Sequence, residues 1–105
     1  MISRVWHGWT RPANADGYER LLVGTILPGI AARGIPGYRG AYLYRRPDGR
    51  LVEFVTTMLF DSREAVIGFA GADYETAVVP EPARKLLDRF DLRSAHYEVL
   101  LTPSS

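Results

Sequence analysis

Residues 51–60 read Leu51-Val52-Glu53-Phe54-Val55-Thr56-Thr57-Met58-Leu59-Phe60, "LVEFVTTMLF". The run is rich in β-branched and aromatic residues and follows Pro47-Asp48-Gly49. It therefore reads as the return strand of a hairpin, with Gly49 able to take the positive φ that a tight turn needs. Tyr38 to Arg46 is the outgoing strand, paired antiparallel with it. Side chains alternate along a strand. Leu51, Val55 and Leu59 fall on one side, and Val52, Phe54, Met58 and Phe60 on the other. A sheet that is apolar on both sides needs two covers.

Helices supply one cover. Downstream, Asp61-Ser62-Arg63-Glu64 has the form of a helix cap, and Ala65, Val66, Phe69 and Ala70 make the apolar stripe that follows. Upstream, Ile2 to Thr10 reads as a strand. Asn14 is an N-cap candidate for a helix with its stripe at Tyr18, Leu21, Leu22, Thr25 and Ile26, which Pro28 should end or kink. Pro82 suits the first turn of a short helix carrying Leu86, Leu87 and Phe90. Ala95 to Leu101 is the last strand, and "TPSS" is a polar tail. The order strand, helix, strand, strand, helix, strand is the split βαβ plan: an α+β, ferredoxin-like fold with a four-stranded antiparallel sheet. The second cover is expected to be another copy of the chain, sheet against sheet, in a two-fold homodimer.

Composition agrees. The chain has 105 residues, which suits a single domain over 1–105. A net charge of +1 offers no strong field for nucleic acid or an anionic membrane, and the strands lack an RNP1 pattern. There is no cysteine, which excludes disulfides, thiolate metal sites and Cys nucleophiles and fits a reducing cytoplasm. "MISRVWHGWT" has no apolar region of signal-peptide length, and Leu21 to Ala32 is too short to span a bilayer. Neither phosphate-loop nor dinucleotide glycine motifs occur, so no nucleotide or flavin cofactor is expected. The two histidines lack metal-ligand spacing.

Four stretches carry a resemblance: "RVWHGWT" at 4–10, "IPGYRG" at 35–40, "FAGADYETAVVP" at 69–80 and "HYEV" at 96–99. Together they resemble the antibiotic-biosynthesis-monooxygenase-like proteins of the dimeric α+β barrel superfamily, over nearly the whole chain. The resemblance implies a homodimer with a small-molecule pocket between sheet and helices in each subunit. It also implies activities such as cofactor-independent oxygenation of polyketide phenols, or haem degradation. The haem-degrading branch is marked by an asparagine, a tryptophan and a histidine in set places. Asn14, Trp6, Trp9 and His7 do not match that set position by position, and those roles are not carried over.

His96 and Glu98 share a strand face, about 7 Å apart by strand rise. His96 is the candidate base, since an imidazole titrates near neutrality. The alternative is a structural histidine hydrogen-bonded at the sheet edge, with Glu98 paired to a cationic neighbour, Arg4 on the first strand being the candidate. Arg4, Trp6 and Gly8 share one face of that strand, and Val5, His7 and Trp9 the other. Trp6 could line a pocket and offer an N–H to a substrate, and Gly8 leaves room for a ligand or a close backbone. Arg4, Trp6, Arg39 and Glu98 are the substrate-binding candidates. Tyr38, Tyr42 and Tyr44 are expected on one face, packing on the dimer partner. "FAGADYETAVVP" reads as mainly structural, with Gly71 at a helix end.

The function expected is a cofactor-independent monooxygenase acting on a small phenolic or polyketide-like aromatic. The alternatives are a non-catalytic dimeric small-molecule binder or stress-related protein, and haem binding through His7 or His96.

Overall fold

The structure is a computed structural model that describes residues 1–103; residues 104 and 105 of the expected polar tail lie outside it. The first strand, β1, spans Ile2–Thr10. A helix follows in three joined parts: α1 Pro12–Leu21, a π-helical turn Leu22–Ile26, and α2 Leu27–Ala32. The hairpin is β2 Tyr38–Asp48 and β3 Leu51–Phe60. Then come α3 Arg63–Ala70, a single turn α4 Glu81–Arg84, and two short strands, β4 Leu87–Phe90 and β5 Ala95–Glu98. The sheet runs β2-β3-β1 and then β4, with β5 also paired to β1; every pairing is antiparallel.

The fourth strand is thus divided. β4 takes the C-terminal end of β1, with Gly8 opposite Phe90, and β5 takes the N-terminal end, with Arg4 opposite His96. This corrects the expected short helix through Leu86, Leu87 and Phe90. Leu87 and Phe90 are three apart, a helix-like spacing, but a bulge between Trp9 and Thr10 absorbs Asp88 and puts both on one sheet face. The last strand stops at Glu98 rather than Leu101, with one more ladder bond from the Val99 N–H to the Met1 carbonyl.

Local chemistry explains the helices. Ser62 caps α3 as expected, its Oγ accepting from the Ala65 N–H at 3.2 Å, and Gly71 closes it at φ 90°. Asn14 is not a cap. Pro12 opens α1, since it lacks an N–H to satisfy and its φ is preset. Asn14 lies within the first turn and donates to the Leu86 carbonyl at 3.3 Å. Pro28 does not end the helix. The turn before it widens, so that the Leu27 N–H reaches back five residues to the Leu22 carbonyl.

The hairpin turn is Gly49-Arg50, with Gly49 at φ 62°. Pro47 lies within β2, an edge strand where a missing N–H is tolerated. A second bulge, at Arg39, shifts the register between Tyr38 and Gly40. It overturns the expected tyrosine stripe. Tyr38 turns to the helices and packs on Phe60 at 5.5 Å, while Tyr42 and Tyr44 stack at 6.0 Å on the open face.

The helix face of the sheet carries two apolar clusters. Tyr18, Leu22, Phe54 and Ala83 form one, and Phe60, Ala65, Val66 and Phe69 the other. Between them the packing opens into a cavity.

Candidate functional site

The cavity has a volume of about 300 Å³, at the lower end for a small-ligand site. Arg4 and Trp6 of β1 and Thr56 and Met58 of β3 form its floor. Tyr18, the widened turn at Leu22, Thr25 and Ile26, and Arg33 beyond α2 form one wall. Phe69 of α3, with Val78, Pro80 and Ser94, forms the other. The π-helical turn presents Leu22, Thr25 and Ile26 to this space together, and such turns recur at functional sites.

Arg4 dominates the site. It is 4% exposed, and among the described residues no carboxylate lies within ion-pair distance of it. Its Nη1 donates to the Tyr74 carbonyl and faces His96 Nε2 at 3.0 Å. Its Nη2 donates to the Thr76 carbonyl at 3.1 Å. The guanidinium lies 5.6 Å from the centre of the Phe69 ring, and the Arg33 guanidinium lies 5.5 Å from the same ring. Burial pulls the Arg4 pKa below its ordinary value. "FAGADYETAVVP" therefore does more than end a helix: its carbonyls at Tyr74 and Thr76 hold the arginine. Backbone bonds from Ala77 to Leu92 and from Ser94 to Glu75 keep that segment in place.

His96 lies on the helix face of the sheet, opposite Arg4, but does not line the cavity. A guanidinium has no acceptor, so His96 Nε2 must accept, and the neutral ring carries its proton on Nδ1. Desolvation holds its pKa below the usual value, and the charges of Arg4 and Arg63 add to this. The edge of the Tyr74 ring meets the imidazole, centroids 5.1 Å apart.

The other candidates are dispersed. Trp6 lines the cavity with its ring, but its N–H donates to the Asp91 carbonyl at 2.7 Å and is not offered inward. The room beside Gly8 is filled by that same ring: a Cβ there would lie 2.8 Å from it. Arg39 sits at the β2 bulge, outside the cavity, and grips Asp61 with Nε to Oδ1 at 2.6 Å and Nη2 to Oδ2 at 2.9 Å. Glu98 faces Ile2 across the ladder and is exposed, two residues beyond Arg4's reach.

His7 is on the opposite face. Its Nδ1 meets Glu53 Oε2 at 2.7 Å, and Arg46 donates to Glu53 Oε1 at 2.6 Å. The His7 hydrogen bond and the Arg46 contact hold the Glu53 carboxyl below its ordinary pKa against the effect of desolvation. Trp9 donates to Asp48 at 2.9 Å and lies beneath Arg89, 3.8 Å from ring centre to guanidinium.

Sequence reasoning missed Arg33, Tyr18, Thr56 and Ser94 as cavity groups. Tyr18 is 1% exposed. Burial raises its pKa, so it stays a neutral phenol. One signal was present: Thr56 interrupts the apolar run between Phe54 and Met58 on the buried face of β3.

No model of a known protein family matches the chain, and no curated protein matches it. Solved structures do. Rv0793 from Mycobacterium tuberculosis superposes with a TM-score of 0.64 at 21% identity, covering 97% of each chain. The chain has the fold of this protein. MhuD (Rv3592) from Mycobacterium tuberculosis, a haem degrader with two haems bound in its active site, superposes with a TM-score of 0.59 at 19% identity. That match covers 97% of this chain and 98% of MhuD. The ferredoxin-like fold expected from the resemblance to the antibiotic-biosynthesis-monooxygenase-like proteins is the one these structures share. No helix among the described residues is long and apolar enough to cross a membrane.

Proposed function

We propose that the cavity binds a small aromatic metabolite, and that the protein is a cofactor-independent monooxygenase acting on an ionisable phenolic or polyketide-like substrate, working as a homodimer in the cytoplasm. The observation that carries this reading is Arg4: a buried guanidinium with no carboxylate partner among the described residues, on the floor of an apolar cavity. An uncompensated buried charge is unfavourable, so the site favours an anion. Arg33 adds a second positive charge at the rim, and Tyr18, Thr56 and Ser94 bring hydroxyls to an otherwise apolar wall.

The chemistry balances without an external reductant for a hydroxyanthrone. Loss of a proton to solvent water gives a delocalised anion, which passes an electron to O2. Recombination forms a C–O bond to a peroxide that regains the proton, and loss of water leaves a quinone. Substrate supplies both electrons; one oxygen atom stays and the other leaves as water. His96 Nε2 already accepts from Arg4, so its proposed task is to position the charged Arg4 rather than to take the substrate proton.

The test is oxygen uptake with a hydroxyanthrone in air-saturated buffer. Arg4→Met should lower kcat/KM by about 10²-fold, the scale of losing one preorganised donor to an anion. His96→Gln, which retains an acceptor, should lower it less than about tenfold. A loss of about 10²–10⁴-fold there would instead make His96 the base. No uptake by the wild type would leave the non-catalytic binder as the reading.

Haem gains no support from the cavity. No histidine lines it, His7 is on the other sheet face, and Tyr18 is held as a neutral phenol.

A further inference from the structure

A guanidinium carries five N–H groups. Arg4 uses both Nη1 hydrogens, on Tyr74 and His96, and one Nη2 hydrogen, on Thr76. Among the described residues the Nε–H and the second Nη2–H have no partner, on a side chain that is 4% exposed and lines the cavity. Nε and Nη2 form one edge of the guanidinium, and such an edge matches the two oxygens of one planar anion. The same chain shows the match: Arg39 holds Asp61 through its Nε and Nη2.

We infer that the ligand of this cavity is an aromatic carboxylate, anchored by its two oxygens on the Nε–Nη2 edge of Arg4. The inference rests on reading the cavity as a ligand site, and it adds the group the ligand must carry. A phenolate presents one oxygen and would leave one buried donor unpaired, an unfavourable arrangement. An ester presents two oxygens without the charge that a buried, uncompensated arginine requires. Tyr74, Thr76 and His96 orient the edge by occupying the other donors, so the arginine enters the complex with its geometry already set. Phe69 lines the cavity close to both guanidinium groups and offers apolar contact to the ring of such an acid. Arg33 remains available for a second ionised oxygen.

The experiment compares three probes on the wild-type protein at pH 7.5 by calorimetric titration: 2-naphthoate, its methyl ester and 2-naphthol. The carboxylate should bind at least about tenfold more tightly than either of the others. Arg4→Lys keeps the charge but loses the two-donor edge, and should abolish most of that preference. Arg50→Ala, at the exposed hairpin turn away from the cavity, should keep it. Equal binding of ester or naphthol by the wild type, or no measurable binding of the acid, overturns the inference whether or not the variant folds. So does an Arg4→Lys protein that retains the preference. Oxygen uptake is read separately. A carboxylate preference without uptake keeps the anchor and ends the oxygenase, and uptake of an uncharged anthrone without the preference does the reverse.

Discussion

Arg4 and His96 meet at 3.0 Å as a cation and a neutral acceptor, and protonation of the imidazole would set two cations against each other. Desolvation first, then Arg4 and Arg63, lower the folded-state pKa of His96. The unfolded chain titrates near the ordinary value of about 6.5 and so binds the proton more readily. Stability from this contact is therefore complete above about pH 6.5 and is lost as pH falls from there toward the folded pKa. His96→Gln, which does not titrate, should flatten that acid limb. Denaturant melts of both proteins at pH 7.5 and 5.0 read it, and equal losses in the two would sink the explanation. Gly8 gives a second residue-scale prediction. A Cβ there would lie 2.8 Å from the Trp6 ring and 3.0 Å from Leu87. Gly8→Ala should destabilise by about 1–3 kcal/mol and also weaken ligand binding, because the displaced ring lines the cavity. Thermal melts and a titration check the two effects together.

At the scale of elements, α3 matters because it holds Phe69 against two arginines at the cavity. Its cap is one side-chain bond, from Ser62. Ser62→Ala should cost about 1 kcal/mol, a drop in Tm of roughly 4–8 °C for a domain of this size. A melt unchanged within a degree would show that the cap carries no weight. The cap was legible in the sequence because capping is local: a serine and its N–H partner lie three residues apart. The π-helical turn was not. Its cause, Pro28, is visible in the chain, but a proline can stop, kink or widen a helix, and packing of Leu22 and Ile26 on the sheet selects among these. β4 was misread for a related reason. The spacing of Leu87 and Phe90 fits a helix face equally well until β1 supplies a bulged partner.

For the whole molecule, the open face of the sheet is the large remaining surface. Val5, Val55 and Leu59 are half-buried there, and Tyr42 and Tyr44 stand 54% and 53% exposed. Arg46, Glu53 and His7 form an ion-paired row beside them. Packing of a second copy on this face is the dimer proposed above, and a stable one needs roughly 1,600 Å² of total burial. The wild type should therefore sediment as a dimer at micromolar concentration. Val55→Lys, on the open face, should yield a folded monomer. A wild type that stays monomeric would remove the second-copy cover.

The sequence by itself determined the elements from β1 through α3, the β2–β3 hairpin and the apolar pattern on both faces of β3. All three follow from alternation, capping and turn chemistry within a few residues of each other. Only the tertiary structure decided the site. Arg4 and His96 are 92 residues apart and meet through the β1–β5 register. The carbonyls that fix Arg4 belong to a segment whose side chains gave no hint of the task. Arg39 was drawn away by a one-residue bulge, and Glu98 by the ladder position that set Ile2 opposite it. Register and bulges depend on pairing energies summed over whole strands. No local stretch of sequence contains that sum, and it settles which donors of Arg4 remain for a ligand.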